Sequence, residues 1–185
     1  MLIQIRPPRA SWPADFGRVK TALLPVLPSG AIVHHIGSTA VPGLAAKDII
    51  DIQVTLARLT DLDATALTGA GFERASPTRD HQPPGMKLAA VDLAKQMFRA
   101  ALPVANIHIR VHGRFNQRYP LLCRDYLRAH PLAAAAYGAI KQNLATRFPN
   151  DAEAYYDIKD PVFDLIMVGA EAWAAATGWT LPPGD

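Results

Sequence analysis

From Trp12 onward, apolar residues recur at Trp12, Phe16, Val19, Leu23 and Leu27. This is the spacing of one helix face, with Ser11 at the entry and Pro25 and Pro28 at the exit. Ala31–Ile36 and Ile49–Val54 read as strands, the second apolar at alternate positions and rich in β-branched side chains, with Pro42 and Gly43 in the loop between them. Thr60–Gly71 carries Leu62, Ala66, Leu67 and Ala70 at helical spacing before a glycine stop. Weaker strand signals follow at Lys87–Asp92, Gln96–Leu102 and Val104–His112; in the last, Ile107, Ile109 and Val111 alternate with His108, Arg110 and His112. Ser76–Met86, with three prolines and Gly85, reads as a mobile loop. After Gly113 the pattern turns helical: Arg118–Ala129, Pro131–Phe148 and Asp151–Gly178, with a break expected near Asp160-Pro161. The pattern predicts an α/β (α+β) chain without internal repeats. A sheet core falls over residues 10–113 and a helical portion over 114–178, within one domain spanning 1–185.

Composition narrows the class. Half of the 185 residues are hydrophobic and 19% are charged, which excludes a chain too polar to build a core. A net charge of +3 is too small for a surface that coats nucleic acid, so such a partner is not expected, while a local anion pocket is compatible with it. Cys123 stands alone, which removes an intramolecular disulfide and a cysteine-based zinc site. The start of the chain lacks the apolar core of a signal peptide and no apolar run is long enough to span a bilayer; a cytoplasmic protein without a membrane partner is expected.

The chemistry concentrates in residues 35–54. Gly37, Ser38 and Thr39 end the first strand, where a glycine permits close approach of an anion and hydroxyls and amides donate to phosphate oxygens. Asp51 lies on the next strand, placed to hold a divalent cation against that phosphate. An ordinary turn is the competing reading. His108 and His112 share a strand face with Arg110, an array suited to phosphate binding, proton transfer or metal ligation with Asp51, and equally to a solvated strand edge. Of the adjacent His34 and His35, only one can face the site. Tyr137 with Lys141, and Tyr155 with Lys159, are i,i+4 pairs on successive helices; they face one cleft or pack lysine stems on aromatic rings. Lys47, Lys95, Arg99 and Arg124 complete a set able to ring an anion, although Arg124, Asp125 and Arg128 also read as a structural salt-bridge set. Trp12, Trp173 and Trp179 are assigned to packing.

The stretch HIGSTAVPGLAAKDIIDI resembles the signature of the GrpB family (UPF0157), a group also found as a domain fused to dephospho-CoA kinase. The resemblance extends through Lys95–Arg99, Asn106–His112, Cys123–Pro131 and the two Tyr–Lys pairs, covering about residues 10–170. It implies a nucleotidyltransferase-like mixed β-sheet with flanking helices, in which Gly37 and Ser38 form the phosphate loop and Asp51 is the first metal carboxylate, with Mg²⁺ or Mn²⁺ as the implied ion. Two positions depart from that pattern. Gln53 replaces the second acid, and His108, Arg110 and His112 stand where a third carboxylate is expected. Asp48, three residues before Asp51, falls on the opposite strand face and is no substitute. The expected function is binding of a nucleotide or phosphorylated small molecule, with nucleotidyl transfer, a non-catalytic accessory module with a degenerate site, and histidine-dependent metal hydrolysis as open alternatives.

Overall fold

The computed structural model describes residues 2–185. Helix α1 (Trp12–Leu23) begins directly after Ser11 and buries Trp12, Phe16, Val19 and Leu23, the stripe expected from the spacing. The Ser11 hydroxyl caps nothing and is buried without a partner. Strands β1 (Ile32–Ile36), β2 (Ile50–Leu56), β3 (Glu73–Ala75), β4 (Gln96–Ala101) and β5 (Val104–Val111) form one sheet in the order β1-β2-β5-β4-β3. Only the β2–β5 contact is parallel, so the sheet is mixed.

Period-two alternation gives the sheet two chemically distinct faces. Ile50, Ile52, Val54 and Leu56 join Phe98, Ala105, Ile107 and Ile109 on one face, packed against α1. Register puts Asp51 opposite Ile36 and Asn106, Gln53 opposite His34 and His108, and Thr55 opposite Arg110, all on the other face. That face is walled by the C-terminal helices α4 (Phe115–Ala129), α5 (Pro131–Arg147) and α6 (Ala152–Thr177).

Three expectations are corrected. Lys87–Asp92 is not a strand; it leads into a short helix, α3 (Ala90–Leu93). Both edges of β4 are already taken, by β3 and β5, and one helical turn suffices to bury Leu93. The helix expected over Thr60–Gly71 is α2 (Ala64–Gly69), preceded by a separate 3-10 turn, because Asp63 caps it by accepting from the Thr65 and Ala66 amides. Helix α6 runs through Pro161 without a break. Its anchors past the proline, Phe163, Ile166, Met167 and Ala170, pack into the same clusters as α4, and this packing offsets the cost of a proline in the helix interior. Among the described residues no helix is long and apolar enough to cross a membrane.

Candidate functional site

The polar sheet face, the Gly37–Ala40 turn and the facing sides of α4, α5 and α6 enclose a cavity of about 610 Å³. It is lined by eight Lys or Arg residues against three Asp, and by Phe115, Tyr119, Tyr137, Tyr155, Tyr156 and Phe163. A cationic floor beside an aromatic wall suits an anion that carries a flat or apolar group.

Gly37 holds this floor together. Its φ is +71°, a region L side chains rarely adopt, and an added Cβ would stand 2.6 Å from Asp51 Oδ2. Both the backbone conformation and the close approach therefore require glycine. Next to it, Lys141 Nζ donates to Ser38 Oγ at 2.7 Å and to the Ala45 carbonyl at 2.6 Å. Burial, reinforced by Lys159, pulls the Lys141 ammonium down to about 7. Lys159 itself is raised: the Tyr137 phenol and Asp160 nearby outweigh its burial. It bonds Asp160 at 2.7 Å. Burial pushes Tyr137 up to about 12 and also raises Tyr155.

On the sheet, Asn106 donates to Asp51 Oδ1 at 3.0 Å and His108 Nε2 lies 3.8 Å from the same oxygen. Burial would raise the Asp51 carboxyl, but His108, Asn106 and Lys47 together hold it below the ordinary range. Burial lowers His108, with Arg110 pressing the same way, so its ring is neutral near pH 7. Lys95 Nζ, which can only donate, lies 3.2 Å from His108 Nδ1; the ring proton therefore sits on Nε2, facing Asp51.

The centre of the face is a closed ion network. Arg110 grips Asp80 with Nε and Nη2 at 2.8 and 2.9 Å and donates Nη1 to Gln53 Oε1 at 2.8 Å. Lys95 reaches Asp80 Oδ1 at 2.6 Å and Asn116 reaches Oδ2 at 3.0 Å. Burial opposes the Asp80 charge, but Arg110 and Lys95 outweigh it and hold the carboxyl far below its usual range.

The structure brings Gly37, Ser38, Thr39, Lys47, Asp51, Lys95, Arg99, His108, Arg110, Arg124, Tyr137, Lys141, Tyr155 and Lys159 to the lining of this one cavity. Their engagement differs. The Thr39 hydroxyl is 2.9 Å from His35 Nε2, and the Arg124 guanidinium is spent on Asp125, Asp185 and the His35 carbonyl. Lys47 bonds the Tyr156 hydroxyl, and Arg99 is exposed at the rim. His112 is a correction: it is exposed beyond the end of β5 and outside the lining, because the strand stops at Val111 and the chain turns at Gly113. Neither His34 nor His35 lines the cavity. His35 stacks on Phe16 at 4.8 Å and burial lowers it to about 4, while His34, on the site face, is covered by the carbonyls of Pro182 and Pro183. Asp48 turns away from the site to Arg9 and Trp12.

Asp80, Asn106 and Asn116 escaped sequence reasoning. Asp80 lies in the loop expected to be mobile, yet backbone bonds from Asp80 to Leu93 and from Lys95 to Thr78 tie that segment to the strand entry. An acid in a proline-rich loop has no periodicity to betray it. Its partners Lys95 and Arg110 were read from the sequence as cations facing an anionic ligand, and the structure gives them Asp80 instead.

The divalent ion implied by the resemblance finds no cage. Asp80 has both oxygens committed, Gln53 Oε1 faces a guanidinium, and Asp51 Oδ1 has Asn106 and His108 beside it, which leaves Asp51 Oδ2 beside the Gly37 turn as a single uncommitted carboxylate oxygen. Among the described residues no three His, Cys, Asp or Glu side chains are grouped to hold a metal. Mg²⁺, which demands near-octahedral oxygen coordination, does not fit this set.

A mixed sheet with one polar face roofed by C-terminal helices defines an α/β protein with a cation-lined cavity. The chain matches the GrpB protein family over residues 2–168 and belongs to that family. It is similar to the crystal structure of the conserved protein GrpB from Enterococcus faecalis, at 26% identity and a TM-score of 0.74 over 92% of this chain and 99% of that one. A UPF0157 protein of Streptomyces coelicolor is 33% identical over 90% of this chain and 82% of its own length. A dephospho-CoA kinase of Mycolicibacterium paratuberculosis is 36% identical over 96% of this chain, which spans about half (48%) of that relative.

Proposed function

We propose that this GrpB-family chain binds a nucleotide or a similar phosphorylated small molecule, with phosphate at the Ser38–Lys141 pair and the remainder along the aromatic wall of α5 and α6. The observation that carries the reading is the 2.7 Å contact between Lys141 Nζ and Ser38 Oγ. It joins a helical lysine to a glycine-serine turn at the end of a strand, inside a cavity whose cations outnumber its acids. A lysine buried to that degree is costly unless an anion arrives to raise its pKa again, so the free site is poised for anion binding.

Gln53 and the β5 side chains favour a binding protein over a nucleotidyltransferase, because an amide stands at the position of the second carboxylate and His108, Arg110 and His112 stand where a third would be expected. The histidine-dependent metal hydrolase finds no support, since His112 is outside the cavity and His108 Nδ1 faces Lys95. Several similar proteins are dephospho-CoA kinases, which makes dephospho-CoA a natural probe beside nucleotides. Calorimetric titration with ATP, other nucleotides and dephospho-CoA tests the reading in the wild type and in Lys141→Ala with Lys159→Ala. Binding that weakens at least about tenfold in the double variant supports it. Failure of every probe to bind the wild type overturns it.

A further inference from the structure

We infer that the site takes the phosphate groups of its ligand free of a divalent cation, with the Arg110–Lys95–Asp80 network supplying the fixed positive charge in the ion's place. The inference rests on the anionic ligand proposed above and specifies the form in which that ligand binds.

Three observations carry it. First, Arg110 projects from β5 onto the same face as Asp51, and its Nη1 reaches the Gln53 oxygen at 2.8 Å, so a guanidinium occupies the space between the two strands where an acid pair would hold an ion. Second, the carboxylate that engages Arg110 there, Asp80, accepts four hydrogen bonds, from Arg110 twice, Lys95 and Asn116, and is left no free lone pair for a metal. Third, Arg110 and Lys95 bring two cations to Asp80, and even with the Asp51 carboxylate beside them counted the cavity is lined by eight Lys or Arg against three Asp; the network is nearly excluded from water, with Arg110 5% and Lys95 6% exposed. A divalent ion would have to approach this charge through a medium that screens it poorly, whereas a phosphate is drawn to it. Three of the five N–H donors of Arg110 are used, which leaves two for a ligand oxygen.

Gln53 is matched to this arrangement, accepting from Arg110 while its amide nitrogen donates to the Gln117 carbonyl at 2.9 Å. A Gln53→Asp change alone would give Arg110 a second salt-bridge partner rather than create a metal site.

Calorimetric titration of ATP and of pyrophosphate, each in EDTA and in excess Mg²⁺, tests the inference. Affinity in EDTA equal to or above that in Mg²⁺ is expected, because Mg²⁺ neutralises charge on the anion that the site itself would bind. Affinity at least about tenfold higher in Mg²⁺ overturns this inference and leaves the nucleotide reading standing. Silence of both anions in both buffers overturns this inference, and the ligand reading falls with it when the other nucleotides and dephospho-CoA are silent too. Mn²⁺ titration followed by electron paramagnetic resonance gives a readout independent of any nucleotide. No stoichiometric uptake is expected from the wild type or from Gln53→Asp, and uptake by the wild type that disappears in Asp51→Asn overturns the inference. Arg110→Met should weaken pyrophosphate binding in EDTA by about tenfold, and where thermal melting shows that variant unfolded, Lys95→Met tests the same charge. Unchanged binding in a folded variant of either kind overturns the role given to the network.

Discussion

The two faces of the sheet are built from the same strands and differ in almost every physical respect. On the α1 face, Ile52, Val54, Ile107, Ile109 and Phe98 are fully buried and make no demand on one another beyond volume. On the helical-wall face, Gln53, Arg110, Lys95 and Lys141 are buried almost as deeply, but each is tied to a specific partner. The first face supplies stability without direction. The second spends stability on buried charge and gains a cavity whose walls are chemically addressed. A single-residue register slip would exchange the faces, which is why the alternation in β2 and β5 is the most consequential pattern in the chain.

Substitutions can break this comparison, and the largest effects are expected where the faces differ most. Asp80→Ala leaves Arg110 and Lys95 buried without their common anion and should destabilise the fold by about 3–5 kcal/mol. Denaturant unfolding measures this, and a loss below about 1 kcal/mol would show that water compensates the network. Ile107→Ala on the apolar face should cost a similar 2–5 kcal/mol, roughly, through its cavity, yet leave anion affinity of the folded protein unchanged. A matching fall in affinity would show that the two faces are not independent.

Gly37→Ala should act on both counts. It forces a side chain into positive φ and against Asp51, at a cost of about 1–3 kcal/mol, and it disturbs the turn proposed to hold phosphate. Melting temperature and ATP affinity should fall together in this variant.

The buried lysine gives a smaller effect with a distinctive sign. The Lys141 pKa falls from an ordinary 10.5 to about 7 in the folded chain, so between those values the unfolded state binds the extra proton and stability rises with pH. Anion affinity should move the opposite way and fall as pH rises through 7, because the cation facing the ligand is being lost; Lys159, Lys47 and Asp51 set its surroundings. Paired melting and titration series measure both slopes, and Lys141→Met should flatten both. Slopes of the same sign would contradict the assignment. Lys159→Ala should have the smallest effect, a few-fold weaker binding, since that lysine is already neutralised by Asp160.

Much of the scaffold was legible because it rests on periodicity. The α1 stripe, β2, β5 and the helical C-terminal third all follow from spacing alone. The apparent strand at Lys87–Asp92 misled, since whether a short apolar run pairs depends on a free sheet edge, a property of the assembled sheet. The lining of the cavity was legible where a motif stood at or beside regular elements, as with Ser38, Asp51, His108 and the Tyr–Lys pairs. It was opaque at Asp80, because a loop acid has no pattern and its importance is set by cations far along the chain. His112 was drawn in by strand alternation that stops one residue too soon.

The central claim is that phosphate sits between the Gly37–Ala40 turn and α5. A crystal structure of the protein grown with ATP in EDTA tests it most directly. Phosphate density within about 3 Å of both Ser38 Oγ and Lys141 Nζ, with no ion between phosphate and Asp51, is the predicted result. Phosphate held through a metal on Asp51, or seated away from Ser38 and Lys141, would contradict it.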